Sequence, residues 1–329
     1  MIPLAGLLSS FFLSMVVYPF WIRFIKKFSL SSRGHVDHII DQETKLTKEK
    51  TPAFGGIPFV MIPFLLAPLF YQTLPYEYYQ LLTLAGAFFA VGLADDLYKI
   101  FSLSKGISAR AKFGGQLFGS ALFIALISLA KGSYLLEVPF IASLSFPAFS
   151  LGGVVLILFL AFILVGTSNA VNLADGMDGL AGSLSLITLF FLGLAGLIRG
   201  EIFLTFMICL LFGSILGFTF FNKKPAQIFM GDVGSLPLGG LIAAFAIYLN
   251  QEILLVFYGG IFVVEVLSVI LQVYYFKRTK TRIFHCAPLH HHYQFKGWSE
   301  NKIVYRFALA QTLCAFFGIL IYFLARTYA

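Results

Sequence analysis

The sequence carries little charge for its length. Only 12% of its 329 residues are Asp, Glu, Lys or Arg, about half of the roughly 25% that soluble domains carry. The hydrophobic share of 59% and the mean hydropathy of +0.89 exclude a soluble globular protein and a disordered one. Three cysteines, an odd number, offer no disulfide framework. These shortages together indicate a polytopic membrane protein.

Long apolar runs are what the sequence has in quantity. A membrane helix needs about 20 mostly apolar residues, whereas barrel strands show about ten alternating ones. The runs between charged and turn-forming clusters predict about ten spans, roughly 2–22, 53–71, 79–95, 114–130, 151–170, 180–198, 202–221, 233–250, 253–276 and 304–325. The sequence therefore predicts an all-α integral membrane protein with a single polytopic domain over residues 1–329.

Lys and Arg are unevenly distributed among the connections between these spans. Nineteen of the 23 lie in odd-numbered connections, and seven of these lie in 23–52. The positive-inside rule places those connections in the cytoplasm and both termini outside. The first apolar run has no basic residues before it, so we expect an uncleaved span rather than a signal peptide. The net charge of +8 is thus explained by topology, and no nucleic-acid partner is expected.

Five acidic residues lie at the predicted cytoplasmic span ends, where carboxylates are costly and tend to be functional. They are Asp95, Asp96, Asp175, Asp178 and Asp232. The spacing of three between Asp175 and Asp178 predicts one face of a helical turn, with Asn172 one turn earlier. Such oxygen ligands near a diphosphate favour Mg²⁺. Solvated helix caps are the alternative interpretation, because Asp and Asn favour helix N-termini.

Glycine-rich segments at 51–56, 175–182 and 231–235 flank these acids. Glycine lets the backbone approach a ligand closely, and N–H groups at a helix start bind phosphate. Next to the carboxylates, the segments favour a nucleotide-diphosphate site. Phe229 could stack on a base or face lipid, and the mid-span Glu265 requires a partner.

A histidine-rich run occupies 285–292 in the ninth connection. Binding or proton transfer around phosphate suits imidazole near neutral pH. A zinc site with Cys286 is a second interpretation, although adjacent histidines are a poor chelating arrangement. A plain solvated loop is the third.

Four motifs, in order, resemble the polyprenyl-phosphate N-acetylhexosamine-1-phosphate transferase superfamily. They are Asp95-Asp-Leu-Tyr-Lys99, the run from Asn169 to Ala181, Phe229-Met-Gly-Asp-Val-Gly-Ser235 and Pro288-Leu-His-His-His-Tyr293. The triple histidine followed by Lys296-Gly-Trp-Ser-Glu300 resembles the branch that uses UDP-N-acetylmuramoyl-pentapeptide. The likeness runs from Lys50 to about Arg306. The first loop departs from it, with Asp37-His-Ile-Ile-Asp41 where the family usually has Arg-x-Asp-Gly-Pro.

The resemblance implies a reaction and a fold. Phospho-N-acetylmuramoyl-pentapeptide would move from its UDP carrier to undecaprenyl phosphate, giving lipid I and UMP in peptidoglycan synthesis, with Mg²⁺ required. The family fold has ten transmembrane helices with a cleft on the cytoplasmic side, and it often forms a homodimer. The resemblance also implies location in the bacterial cytoplasmic membrane. A transferase for UDP-N-acetylglucosamine is the closest alternative. A lipid-linked sugar flippase is another, although it would need polar groups across the membrane rather than at one face.

The resemblance also implies roles for individual residues. The metal would lie at Asp232 and Asn172. Ten positions would contact substrate: Lys50, Lys112, Asp175, Asp178, Asn222, Phe229, Gln272, His290, His291 and His292. Three would act in catalysis: Asp95, Asp96 and Asp232.

Two mechanisms fit these assignments. Either Asp95 accepts a proton from the lipid phosphate, which attacks directly, or Asp232 or Asp96 attacks first and forms a phospho-enzyme. We favour direct attack, because a phosphate monoester has its second pKa near 6 and is mostly dianionic at neutral pH.

Overall fold

The computed structural model describes residues 1–27, 51–101, 106–148 and 150–328. Lys50 and the divergent first loop lie outside these ranges. The described helices are α1 (Ile2–Lys27), α2 (Gly56–Phe70), α3 (Tyr76–Phe101), α4 (Ala109–Lys131), α5 (Leu151–Ala174), α6 (Leu180–Arg199), α7 (Ile202–Asn222), α8 (Asp232–Tyr248), α9 (Leu255–Tyr258), α10 (Gly260–Thr279), α11 (Leu289–Phe295) and α12 (Glu300–Tyr328). Two strands, β1 (Ser133–Val138) and β2 (Ala142–Pro147), lie between α4 and α5.

Each predicted span coincides with a helix, and the chain is a mostly helical, multi-pass membrane protein. Eight of the described helices are long and apolar enough to cross a bilayer. The other two predicted spans, α2 and α8, are apolar helices of 15 and 17 residues. The predicted span 253–276 is divided at Gly259 into α9 and α10. Ten crossings and the external position of both termini stay predictions.

Local sequence explains several helix ends. The hydroxyl groups of Ser108 and Ser150 accept hydrogen bonds from backbone N–H groups three residues on, which caps the starts of α4 and α5. Gly132 and Gly200 end α4 and α6 in the left-handed conformation that terminates many helices.

The hairpin between α4 and α5 was not expected from the sequence, which assigned no element to 131–150. Its strands are antiparallel, with Ser133 paired with Pro147 and Val138 with Ala142. The Tyr134 hydroxyl donates to the Ile124 carbonyl at 3.0 Å and anchors β1 to α4.

Helix α8 is the centre of the molecule. All 17 of its residues are buried, and it packs mainly against α3 and α5. A Cβ at Gly92 of α3 would lie 2.2 Å from the carbonyl oxygen of Asp232. Helices α3 and α8 therefore meet backbone to backbone, which small residues permit in membranes.

The outer surface is suited to lipid. Many large apolar side chains are exposed, among them Phe12, Phe20, Phe118, Phe162 and Phe316. Exposed apolar surface on this scale marks a membrane-facing protein rather than one surrounded by water.

Candidate active site

Three carboxylates meet where α3 ends and α8 begins. One oxygen from each of Asp95, Asp96 and Asp232 lies within 4.8 Å of the others, and all three residues are buried. They meet because the contact at Gly92 brings the last turns of α3 against the first residue of α8. Carboxylates this close repel one another unless cations offset their charge.

Two lysines supply that positive charge. Lys99 Nζ lies 2.6 Å from Asp95 Oδ2 and 3.3 Å from Asp232 Oδ1. Lys112 Nζ lies 3.2 Å from Asp95 Oδ2 and also contacts Asp232 Oδ2. Lys112 was a predicted substrate contact, whereas Lys99 was missed. The signal for Lys99 was its position four residues after Asp95, a spacing that pairs charges on a helix.

The amide group of Asn172 lies beside Asp232, as the metal-site prediction requires. Its Nδ2 donates to Asp232 Oδ1 and to the Ser235 hydroxyl, both at 2.8 Å. Helix α5 is thereby joined to the first turn of α8. The geometry brings Asn172 and Asp232 together, and their role as metal ligands stays a prediction.

The remaining carboxylate oxygens hold backbone in place. Asp96 Oδ2 accepts from the Val233 N–H at 2.9 Å, so a side chain of α3 caps the start of α8. Gly231 has φ +74°, and a Cβ there would lie 2.6 Å from the same oxygen. Asp95 Oδ1 accepts from the Ile107 N–H at 2.9 Å, which fixes the segment leading into α4.

Asp175 and Asp178 do not share one helical face, so that prediction is wrong. Helix α5 ends at Ala174, and the chain then turns through 175–179. Asp175 is half-buried and accepts a hydrogen bond from the Gly231 backbone. The pKa of Asp175 is raised well above its usual range, mainly because its carboxyl group is removed from water and also because the negative charges of Asp232 and Asp96 lie nearby. Asp178 is buried and accepts from the backbone N–H of residue 226 at 3.2 Å.

Asn222 is the last residue of α7, and Phe229 belongs to the loop that leads from α7 into α8. Asn222 is buried, with Oδ1 accepting from the Gly179 N–H at 3.0 Å and Nδ2 donating to the Ile228 carbonyl at 2.9 Å. The backbone N–H of Phe229 donates to the Pro52 carbonyl at 2.9 Å, and its ring is half-buried. Asn222 therefore shapes the loop, whereas the Phe229 ring stays partly accessible to a ligand.

His290 is fully buried and meets Glu265 of α10, the partner that this mid-span acid required. Both Nδ1 and the backbone nitrogen of His290 lie 3.2 Å from Glu265 Oε1. The other face of the imidazole meets the turn after α5, since a Cβ at Gly176 would lie 2.7 Å from His290 Nε2. This contact joins the histidine motif to the segment that carries Asp175.

The other two histidines make contacts within their own loop. His291 Nδ1 lies 3.0 Å from Gln294 Oε1. His292 Nδ1 accepts from the backbone N–H of His285 at 3.1 Å, and the two rings stack with centroids 5.1 Å apart. Partial burial, and then the charges of Lys296 and His285, lower the pKa of His292.

Gln272 lies near the end of α10 and contacts the segment that follows this helix. Its Oε1 accepts from the backbone N–H groups of Ile283 at 3.1 Å and Phe284 at 2.9 Å. Within the described ranges, Asp95, Asp96 and Asp232 form the one group of three possible metal ligands, and none surrounds Cys286. The zinc interpretation of the histidine run therefore receives no support from the described residues.

The acid cluster suits a hard divalent cation. Magnesium takes oxygen ligands and uses one or two carboxylates with phosphate oxygens, and the cluster offers carboxylates from two helices beside an amide. The ammonium groups of Lys99 and Lys112 already lie among these oxygens, which shows that the cluster stabilises positive charge.

Comparison with known proteins shows which family this chain belongs to. Residues 78–250, which include the acid cluster, match the family described as glycosyl transferase family 4. A phospho-N-acetylmuramoyl-pentapeptide-transferase of Desulforamulus reducens is 37% identical over 94% of this chain and 93% of its own length. One from Rickettsia massiliae is 39% identical over 93% of this chain and 89% of its own. This chain belongs to glycosyl transferase family 4.

Proposed function

We propose that this protein transfers phospho-N-acetylmuramoyl-pentapeptide from its UDP carrier to undecaprenyl phosphate, releasing UMP and forming lipid I. The observation that carries the proposal is the buried cluster of Asp95, Asp96 and Asp232 with two lysines at one end of the helical bundle. The substrate is suggested by the names of the relatives that match nearly the whole chain. We place the site at the cytoplasmic face of the bacterial cytoplasmic membrane.

Magnesium fits the acid cluster in this proposal. Asp232 would hold the ion together with Asn172, and Asp175 lies nearby through the Gly231 backbone. When bound, Mg²⁺ offsets the charge of the diphosphate and steadies the departing UMP. The chain's own residues supply the remaining chemistry.

The two lysines are suited to attract the phosphate groups. Their ammonium groups lie between the carboxylates, and the side chains of Lys99 and Lys112 are 34% and 19% exposed. Positive groups fixed where negative charge develops stabilise a phosphoryl transition state. We assign Lys112 to the reacting phosphates and Lys99 to the charge balance of the cluster.

The reaction proceeds by direct attack in this proposal. An oxygen of the lipid phosphate forms a bond to the β-phosphorus, and the bond from that phosphorus to the bridging oxygen breaks, so UMP leaves with the electron pair. The attacking monoester is mostly dianionic near neutral pH, and Asp95 accepts the proton from the fraction that retains one. The contacts of Asp232 with Asn172 and both lysines support this route, because an engaged carboxylate is a poor nucleophile.

The surrounding residues would position the nucleotide and the sugar. We assign the half-buried ring of Phe229 and the Asp178 turn to the uridine, together with Lys50, which lies outside the described residues. His291 would face the sugar and its phosphate, and the buried His290 would position the His291 ring, because the two ring centroids lie 4.2 Å apart and both rings adjoin Gly176. Asn222, Gln272 and His292 would act by holding the loops around the cleft.

The decisive test is UMP release by purified protein in detergent with undecaprenyl phosphate and Mg²⁺. UDP-N-acetylmuramoyl-pentapeptide and UDP-N-acetylglucosamine are compared as donors. We expect release with the pentapeptide donor alone, abolished in Asp232→Asn and retained in Glu201→Gln, a matched control at an exposed position between α6 and α7. Release with N-acetylglucosamine alone would contradict the substrate, and silence with both in a monodisperse preparation would contradict the transferase.

A second measurement separates the two mechanisms. The protein is incubated with labelled donor and Mg²⁺ but without the lipid acceptor. Direct attack predicts no labelled protein, whereas a trapped phospho-enzyme would overturn that part of the proposal.

A further inference from the structure

A cavity of about 230 Å³ lies at the far end of α8 from the acid cluster. It is enclosed by the ends of α4, α5 and α8, by strand β1 and by the turn after α8. Because α8 has 17 residues at 1.5 Å each, the two regions are roughly 25 Å apart. Neither the family's motifs nor the proposed reaction uses this end of the molecule.

Glu252 is the acidic residue among the polar residues that line the cavity, which also include Lys131, Ser133 and Asn250. Glu252 is only 4% exposed. Its Oε2 is buried with no hydrogen-bond partner among the described residues. Burial raises the pKa of Glu252 to about 8. An unsatisfied buried carboxyl group is costly, which makes the group ready to pair with a ligand.

The nearby cations have other contacts. The ammonium group of Lys131 lies over the ring of Tyr248, 5.3 Å from its centroid. Arg199 pairs with Glu137 at 2.8 Å. Lys131 itself lines the cavity, but among the described residues no hydrogen bond from either cation reaches Glu252 Oε2.

Tyr134 and Tyr248 also line the cavity, and their hydroxyl groups are bound elsewhere. The Tyr134 hydroxyl donates to the Ile124 carbonyl, and the Tyr248 hydroxyl donates to Gln80. Much of the remaining wall is aliphatic, with residues such as Leu160. A carboxyl group, aromatic rings and aliphatic surface are the combination that receives an ammonium group on an apolar chain.

We infer that this cavity binds a primary ammonium group attached to a short apolar chain, with the ammonium on Glu252. The volume of 230 Å³ exceeds that of an engineered cavity of about 150 Å³ that holds benzene. A ligand of about six to eight heavy atoms therefore fits. The ammonium could come from a free alkylamine or from the ethanolamine headgroup of a phospholipid.

The inference is tested on the full-length protein in detergent by isothermal titration with n-hexylamine. Uncharged n-hexanol, of equal length, is the control ligand. We expect saturable binding of the amine, at least tenfold weaker binding to Glu252→Gln and no comparable binding of the alcohol. Glu137→Gln is the matched control, because it removes a carboxylate at the same end of the molecule whose charge is already paired with Arg199. Size-exclusion profile and thermal transition show that each variant is folded, independently of transferase activity.

The pH dependence provides a second readout. An ammonium ligand favours the ionised carboxylate, so binding at pH 6.5 must displace the proton that Glu252 holds below its pKa of about 8. Affinity should rise roughly 25-fold between pH 6.5 and 8.5 and level off above about pH 9. The other titratable groups around Glu252 are Lys131, Tyr134, Glu137, Arg199 and Tyr248. Lys, Tyr and Arg ordinarily titrate above this range and Glu below it.

Bilayer discs distinguish the two sources of the ammonium. In discs of phosphatidylcholine, hexylamine should bind as it does in detergent. Weaker apparent binding in discs containing phosphatidylethanolamine supports the lipid headgroup, and unchanged binding supports a free amine. Absence of saturable amine binding, equal binding of hexanol or an unaffected Glu252→Gln variant would each overturn the inference.

Discussion

Replacing Gly92 with Ala tests whether the backbone contact between α3 and α8 builds the acid cluster. The added Cβ would lie 2.2 Å from the carbonyl oxygen of Asp232 and 2.5 Å from its carbonyl carbon. Ordinary van der Waals contact begins at 3.4 Å, so the two helices must separate by roughly 1 Å. Backbone atoms cannot rotate aside as the end of a side chain can, so the shift must be taken by α3 or α8.

The magnitude follows from two opposing effects. Gly to Ala within a helix favours folding by up to about 1 kcal/mol. Overpacking a core position lowers the free energy of unfolding by about 1–3 kcal/mol. We expect a value at the upper end of that range here, because the added Cβ would meet backbone atoms of Asp232. Displacing Asp232 by about 1 Å from Asp95 and Asp96 should also reduce transfer about 100-fold.

Gly86 is the matched control, because it lies in the same helix with nothing within 4 Å of its added Cβ. Gly86→Ala should gain the helix preference without the collision. Gly92→Ala should therefore melt about 5–10 °C below Gly86→Ala, and UMP release is measured on the same preparations. Equal melting and equal activity of the two variants would refute the argument that this contact sets the site.

Further substitutions test other contacts of the site. Lys99→Met should destabilise the protein by roughly 1–3 kcal/mol, which is less than the loss of a fully buried ion pair because Lys99 is about one-third exposed. Added Mg²⁺ should raise the melting temperature of this variant more than that of the wild type. Equal shifts would contradict a shared cation site. Glu265→Gln should keep the hydrogen bond from the backbone N–H of His290 but remove the negative charge beside the imidazole. UMP release should therefore fall about tenfold or more, with an altered pH profile. An unchanged pH profile would contradict this role and show that Glu265 acts only in structure. Gly176→Ala, whose added Cβ would meet the tips of the His290 and His291 rings, should lower activity while the melting temperature stays within about 2 °C of the wild type. A large thermal loss would contradict that geometry.

The sequence was sufficient for the helices but not for their exact extent. Apolar runs predicted every long helix, because membrane insertion requires about 20 apolar residues whatever the neighbours are. The break at Gly259 and the hairpin at 133–147 were not predicted, since both depend on packing against α4 and α12 rather than on hydropathy.

Spacing along the chain was a poor guide within the loops. Asp175 and Asp178 were expected on one helical face, but α5 ends at Ala174 and the two carboxylates have different partners. Lys99 was overlooked even though its spacing from Asp95 was informative. Gln272 and His292 were expected in the cleft. The structure shows Gln272 contacting the segment that follows α10, and His292 contacting His285 earlier in the same segment.

The sequence by itself determined the membrane environment, the helical class and the residue types available for chemistry, because hydropathy and charge are properties of the chain and need no partners. Only the tertiary structure decided which of those residues meet. Asp95 and Asp232 are far apart in sequence, and their carboxylates come together because Gly92 allows α3 to touch α8. Glu252 lies outside the family motifs, and its significance rests on a cavity that exists only once four elements have packed around it.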